Sequence, residues 1–246
     1  MTKGLSFPRH SENLANQFRE LGYWNDDTLT TYIEKWAKKT PAKVAVVSPD
    51  TELTFEDWYL QSLKFANGLL KLGLKRGDVI AIQYPNTPEF LIAYIGIALM
   101  GGVMCTLHMP YRAGEMAPLM NHGKTKAVIC GQGDEKYDAP NTMMKLKEKV
   151  ASLQHIIVIG EKPSDYYNFN SLIEEANTSP IADPPIASDP CILCFTSGTS
   201  ASPKGVVRTY ETLTANARIY SPTINLNSED RVMVAPPFTH VFGLTC

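Results

Sequence analysis

The segment FTSGTSASPKGV, residues 195–206, gathers the kinds of group that bind phosphate in proteins. It contains five hydroxyl side chains, two glycines and one lysine. Glycine lets the backbone turn its N–H groups toward an anion, hydroxyls add donors that rotate, and Lys204 adds a point charge. Pro203 stiffens the approach to that lysine. Although the same residue types also collect in ordinary turns, the whole string predicts a phosphate-binding loop.

Two better-known loop motifs do not fit this spacing. Counted from Gly198, Pro203 occupies the position where a Walker loop needs the glycine before its lysine. Gly198 and Ser200 match the first part of a nucleophile elbow, but Ser202 occupies the place of its last glycine. The sequence therefore favours neither a P-loop NTPase nor a nucleophilic serine at Ser200.

The elements on either side are expected to hold this loop in place. Cys191 to Phe195 is an apolar run that predicts a short buried strand before the loop. After the loop, Thr209 has the position of a helix N-cap, with Glu211 in the first turn. The buried face of this helix is predicted from Leu213, Ala217 and Tyr220. The loop is thus expected to lie between a strand and a helix.

Upstream, helix and strand patterns alternate. An amphipathic helix is predicted around residues 29–37, ending before Pro41. Strands are predicted at residues 44–47, 79–84, 125–130 and 156–159, with helices between them. Thr54 and Asp57 form a capping-box pattern that opens one of these helices. The alternation predicts βαβ units, and hence an α/β fold with a largely parallel sheet.

The run of 18 uncharged residues at 90–107 has the nominal length of a membrane span. Thr87 and Pro88 mark a helix start, and the pair Gly101–Gly102 divides the run into a helix and a strand at residues 103–107. A buried α/β core explains this pattern, so we expect no membrane span.

Length, charge and cysteine usage limit the class of protein. The 246 residues predict one large or two small domains, and proline-rich residues 161–190 suggest an internal boundary. With a net charge of −2 and scattered lysines and arginines, no nucleic-acid partner is expected. Five cysteines and the lack of an apolar signal segment indicate a cytoplasmic protein with reduced thiols. Cys191 and Cys194 form a C-x-x-C pair predicted to point to opposite faces of a strand, so no zinc site is expected.

The phosphate loop resembles the signature (Y/F)-(T/S)-(S/T)-G-(T/S)-(T/S)-G-x-P-K-G-V of the adenylate-forming enzymes. These include acyl-CoA and aryl-CoA synthetases, peptide-synthetase adenylation domains and luciferases. Every position agrees except Ala201, where the family has glycine. PPFTHVFG at residues 236–243 resembles the family segment beside the acyl carboxylate, with His240 on its histidine. ELTFEDW and ALMGGVMCTL are weaker matches, and Met100 and Thr106 depart from the usual lysine and proline of the second.

The resemblance implies a fold and a set of site residues. The implied fold is a layered α/β sandwich with largely parallel sheets flanked by helices, as in the N-terminal domain of these enzymes. Residues 1–246 would be a fragment of that domain, without the C-terminal domain. The implied ATP-phosphate ligands are Thr196, Ser197, Gly198, Thr199, Ser200 and Lys204, with Thr196 also on Mg²⁺. The implied acyl-substrate residues are Phe238, His240, Phe242 and Gly243, and the implied catalytic residues are Lys204 and His240.

The resemblance also implies a reaction. A carboxylic acid and ATP would give an acyl-adenylate, which the thiol of CoA would convert to a thioester; the fragment by itself is expected to be inactive. Two alternatives stay open: an aryl-adenylate ligase that loads a carrier protein, and a non-catalytic module that binds nucleotide or acyl groups. Aromatic, cyclic or medium-chain acids rank above long fatty acids, because the N-terminal FRELGYW resembles the entry to aryl-adenylating and cyclic-carboxylate CoA ligases and because Phe238 and Phe242 are bulky. A homodimer is also left open.

Overall fold

The fold was analysed in a computed structural model of the chain, which describes residue 7 and residues 10–161, 165–196 and 203–245. Its strands are β1 (Val44–Val47), β2 (Glu52–Thr54), β3 (Val79–Gln83), β4 (Val103–Thr106), β5 (Ala127–Cys130), β6 (Gly133–Asp134), β7 (Tyr137–Asp138), β8 (His155–Val158), β9 (Tyr167–Asn168), β10 (Pro190–Thr196) and β11 (Lys204–Thr209). Its helices are α1 (Glu12–Glu20), α2 (Leu29–Lys39), α3 (Phe55–Lys71), α4 (Pro88–Leu99), α5 (Ala113–His122), α6 (Ala139–Lys147), α7 (Phe169–Glu174), α8 (Tyr210–Thr223) and α9 (Val241–Thr245).

Seven of these strands form one sheet in the order β11-β10-β4-β3-β5-β8-β9. All neighbours in it are parallel except β10 and β11, which are antiparallel. The strands β1 and β2, and β6 and β7, form two small antiparallel pairs outside it. The predicted α/β architecture, a mostly parallel sheet flanked by helices, is confirmed.

Alternation along the central strand β3 explains the two layers of core. Ile80 and Ile82 point to one face, where they join the buried residues of α3, α4 and α7. Val79 and Ala81 point to the other face and pack with buried residues of α5 and α6. Because both faces are covered, β3 is an uninterrupted apolar run ending in buried Gln83.

Several predicted boundaries are confirmed. Thr54 and Asp57 form a reciprocal capping box at the start of α3. The apolar run at 90–107 divides as expected, since α4 ends at Leu99, Gly101 has a φ of 72° and β4 begins at Val103. Among the described residues, we find no helix with both the length and the apolar character to cross a membrane.

The predicted surroundings of the phosphate loop need a correction. Strand β11 lies between the loop and α8, so Thr196 and Lys204 end and begin the two arms of a hairpin rather than a strand-to-helix connection. Thr209 does cap α8, and Glu211 is buried in its first turn. The predicted face is wrong beyond Leu213, because the buried residues of α8 lie in its first two turns and Tyr220 is 45% exposed.

The predicted orientation of the C-x-x-C pair is also wrong. Cys191 and Cys194 both contact the hydrophobic layer formed by α3 and α4. The register of β10 against β11 shifts between Pro190 and Ile192, and this irregularity breaks the alternation on which the prediction depended. The four described cysteines, including these two, are free thiols.

The proline-rich connection at 161–190 contains β9 and α7 in its described part and leads back into the main sheet. After it, β10 pairs with β4 at Ile192–Met104 and Leu193–Cys105. Arg76, just before β3, donates to Asp183 and to Asp189 near the end of the connection. The internal boundary there stays a prediction.

Candidate active site

The hairpin of β10 and β11 carries the described part of the predicted phosphate loop. Thr196 and Lys204 are direct partners across the antiparallel pair, and both are exposed. The antiparallel register therefore fixes a hydroxyl and an ammonium group side by side at the base of the loop. The predicted ligands Ser197, Gly198, Thr199 and Ser200 lie outside the described residues, as does Ala201.

A cleft of about 340 Å³ opens beside this hairpin, at the carboxyl end of β4 and β10. Its lining residues are Thr106, His108, Tyr111, Cys194, Phe195, Thr196, Val206, Thr239, His240 and Val241. Ligands of open α/β sheets bind outside the carboxyl ends of the strands. The cleft lies at that edge of the sheet, and its lining includes two predicted site residues that are distant in sequence, Thr196 and His240.

His240 lies in the short turn that precedes α9. Its Nδ1 accepts a hydrogen bond from the backbone N–H of Phe242 at 3.2 Å, so Nδ1 is unprotonated in this arrangement. The ring stacks on His108, with centroids 5.8 Å apart and planes inclined by 26°. Desolvation lowers the pKa of His108, and a positive charge on His240, when that ring is protonated, would lower it further. Partial burial of the His108 ring therefore favours its neutral form in the cleft.

Buried Gln83 organises the turn that presents His108. Its Nε2 donates to the carbonyl oxygens of His108 at 2.9 Å and of Tyr111 at 3.0 Å. Its Oε1 accepts from the hydroxyl of Tyr137 at 2.9 Å. The guanidinium of Arg112 lies 3.9 Å from the centroid of the Tyr137 ring. Gln83, at the end of β3, therefore connects the turn at His108 to Tyr137 of β7.

Asn86 holds the segment that carries the other predicted site residues. Its Nδ2 donates to the carbonyl of Pro236 at 2.9 Å, and its Oδ1 accepts from the backbone N–H of Phe238 at 2.7 Å. The ring of Phe238 packs on Phe90, with centroids 5.3 Å apart. This pair of hydrogen bonds fixes the backbone just before the turn at His240.

Phe238 and Gly243 line a second, more apolar cavity of about 430 Å³, between the β1–β2 pair and α4. Gly243 is required sterically, because a Cβ there would lie 2.3 Å from the carbonyl oxygen of Pro237. Phe242 is 55% exposed and lines neither cavity. The geometry thus brings Thr196 and His240 together and separates Phe238 and Gly243 from them; the substrate-binding role of these residues stays a prediction.

Sequence reasoning missed Thr106, His108, Tyr111 and Thr239 as lining residues. A usable signal existed for the first three, because polar side chains directly after a buried parallel strand meet ligands at the sheet edge. Thr239 is only 2% exposed and gave no such signal.

A mostly parallel sheet between helices, with a hydroxyl- and histidine-lined cleft at its carboxyl edge, defines an α/β domain with a candidate ligand site at that edge. The sequence model of the AMP-binding enzyme family matches residues 33–246, and the chain belongs to this family. The resemblance to the N-terminal part of adenylate-forming enzymes is thereby confirmed.

The chain is 28% identical over 240 residues to salicylyl-CoA synthase / salicylate adenylyltransferase of a Streptomyces species, covering 94% of this chain and 43% of that protein. It is 26% identical over 236 residues to the medium-chain fatty-acid–CoA ligase of Escherichia coli K12, covering 95% and 42%. The apo structure of Mycobacterium smegmatis MbtA superposes with a TM-score of 0.89 at 24% identity, over 98% of this chain and 44% of that one. The chain thus spans less than half the length of these relatives.

Proposed function

We propose that the chain forms the phosphate- and carboxylate-binding part of a ligase that activates a carboxylic acid with ATP. The observation that carries this proposal is the single cleft shared by the hairpin base and His240. A cleft lined by both hydroxyl groups and imidazole rings suits a phosphate chain and an acid that meet within it. Membership in the AMP-binding family supports the same reading.

The first step is attack of the carboxylate oxygen on the α-phosphorus of ATP. A new O–P bond forms, the bond between the α-phosphorus and its bridging oxygen breaks, and pyrophosphate leaves. Lys204, Thr196 and the loop at 197–200 would stabilise the charge that develops on the leaving group. His240, with Nδ1 occupied by a backbone N–H, has Nε2 available to donate to the acid.

Mg²⁺ would contribute charge neutralisation on the phosphates. The described residues of the cleft offer hydroxyl oxygens, from Thr106, Tyr111, Thr196 and Thr239, but no carboxylate. Mg²⁺ usually takes one or two carboxylates together with phosphate oxygens and water. The Thr196 hydroxyl fits as one ligand, and the remaining ones would come from ATP, water and residues beyond this cleft.

In the second step we propose CoA as the acceptor. Its thiol forms a C–S bond to the acyl carbon while the bond to the AMP oxygen breaks, which releases AMP and the thioester. The names of the Streptomyces and E. coli relatives support CoA, an aromatic acid and a medium-chain acid. A carrier-protein thiol is the alternative acceptor, and assays with each thiol would distinguish the two.

The test is acid-dependent exchange of labelled pyrophosphate into ATP, made with the gene product at its natural length and a panel of acids. We expect Lys204→Ala to lower exchange by about 100-fold or more, the scale for loss of one transition-state charge contact. Lys38→Ala is the control, because Lys38 is exposed on α2, where it forms a surface salt bridge with Glu34.

Unchanged exchange in Lys204→Ala would refute the role of Lys204. No exchange by the wild type with any acid would refute the ligase and favour a module that only binds. For residues 1–246 alone we expect little turnover, because electrostatic catalysis needs a complete, water-excluding set of groups.

A further inference from the structure

The stack of His108 on His240 is the feature of the cleft that neither the signature loop nor the family match assigns. His108 follows β4 after one residue, 132 positions before His240 in the chain. Its ring also meets Tyr111 edge-on, with centroids 5.1 Å apart and an interplanar angle of 82°. His108 therefore contacts the Tyr111 ring edge-on and the His240 ring face to face.

The backbone beneath His108 is held from two directions. Gln83 donates to its carbonyl from the end of β3, as described above. Arg112 closes the other side of the turn, where Nη1 donates to the carbonyls of Met109 and Tyr111, both at 3.0 Å. These hydrogen bonds restrain the turn and therefore the position of the His108 ring. A side chain that positions another side chain needs such a restraint.

His240 has few restraints of its own. His240 is exposed, and within the described part of the chain its ring accepts the Phe242 N–H on Nδ1 and stacks on His108. One hydrogen bond to a ring nitrogen selects the tautomer but still permits rotation about that bond. The stack supplies the second restraint, on the plane of the ring.

We propose that His108 is a positioning residue that holds the imidazole plane of His240, so that Nε2 faces the reacting carboxylate. This inference rests on the proposed ligase function for its consequence, although the stack itself is independent of it. The general reason is that small misplacement of a group that orients the reacting atoms lowers the rate of the step. His108 acts through His240 and need not touch the substrate.

The direct test is side-chain NMR of the ¹³C,¹⁵N-labelled chain without ligand. In His108→Ala we expect a clear shift of the His240 Hε1 and Hδ2 resonances, because the neighbouring ring current is lost. In His108→Phe, which keeps an aromatic face, the shift should be much smaller. His155→Ala is the matched control: His155 is also a partly desolvated histidine beside a tyrosine, Tyr167, but it lies on β8 away from the cleft.

His240 resonances in His108→Ala that coincide with the wild type would overturn the proposal. Should His108→Ala fail to fold, His108→Gln takes its place, with the same two outcomes. This measurement needs no activity, so it decides the proposal even where the ligase function fails.

The kinetic test uses pyrophosphate exchange by the gene product at its natural length. His108→Ala should lower kcat by about 10-fold or more, as expected for a misplaced reacting group, with the KM for ATP unchanged. His108→Phe should recover most of the loss. A raised KM for ATP at unchanged kcat would overturn the positioning role, whereas absence of exchange in the wild type would overturn the ligase function alone.

Discussion

Replacing Gln83 by methionine should loosen the turn at His108 while leaving the core packed. Gln83 is 2% exposed, and its amide makes hydrogen bonds to His108, Tyr111 and Tyr137. Methionine is unbranched and of similar length, so the change removes polar contacts with little change in volume. The expected cost therefore comes from hydrogen bonds and not from a cavity.

The expected loss of stability depends on which hydrogen bonds the partners of Gln83 still make in the variant. The carbonyl of His108 still accepts from the backbone N–H of Tyr111 at 3.0 Å, and the carbonyl of Tyr111 still accepts from Arg112. The hydroxyl of Tyr137, in contrast, loses Oε1 of Gln83 as its acceptor. Three hydrogen bonds are lost at about 1 kcal/mol each. Because both carbonyls keep another donor, no further penalty for an unpaired carbonyl is added, and the expected loss of stability is about 2–3 kcal/mol.

Urea denaturation measures this directly. Gln83→Met should lower the midpoint by about 1 M with an unchanged m-value, given typical m-values of about 1–3 kcal/mol/M. Gln132→Met is the matched control, because exposed Gln132 donates to the carbonyl of Glu161 at 2.8 Å at the surface. Its effect should stay within about 0.5 kcal/mol.

A double-mutant cycle with Tyr137→Phe tests the reasoning further. Because both residues belong to one network, their free-energy changes should fall short of additivity by about 1 kcal/mol. A loss below about 0.5 kcal/mol in Gln83→Met would refute the structural role of Gln83. Strict additivity would refute the link to Tyr137.

Two further predictions concern packing and pH. Gly96→Ala should lower stability by about 1–3 kcal/mol, because a Cβ would lie 2.8 Å from Cδ1 of Phe65 across the α3–α4 contact. Gly114→Ala is the control, because a Cβ there would have no atom within 4 Å. Equal melting temperatures of the two variants would contradict the predicted clash at Gly96. Desolvation, aided by two nearby lysines, lowers the pKa of His155 from its ordinary 6.5. Below pH 6.5 the unfolded chain then binds more protons than the folded one, so the stability of the protein should fall as pH falls. Urea titrations between about pH 5 and 8 should show a weaker fall in His155→Gln than in the wild type. An identical pH profile in that variant would contradict the assignment.

The fold was largely predictable because its signals are local. The helix start at Thr54 and Asp57, the break at Gly101 and the apolar strand β3 each depend on residues close together in sequence. Capping geometry, a positive φ and strand alternation are properties of short segments. The parallel sheet then follows from the order of these segments.

The errors and omissions have long-range causes. Strand β11 forms because Lys204 to Thr209 pairs antiparallel with β10, and its short Lys-Gly-Val-Val-Arg-Thr run lacks a strong strand pattern of its own. The bulge at Cys191 appears only in the register between these two strands. The buried residues of α8 all lie in its first two turns, and helical periodicity does not predict where along a helix the burial stops.

The cleft itself depends on strand order and on two side-chain amides. Pairing of β4 with β10 brings Thr106 within 3.9 Å of Cys194, although the two are 88 residues apart. Gln83 and Asn86, only three residues apart at the end of β3, then fix the turn at His108 and the segment before His240. Because β3 lies beside β4, a single strand end holds both histidines in contact. The contact between His108 and His240 therefore depends on hydrogen bonds from two side-chain amides, and a change at either amide should alter that contact before it alters the sheet.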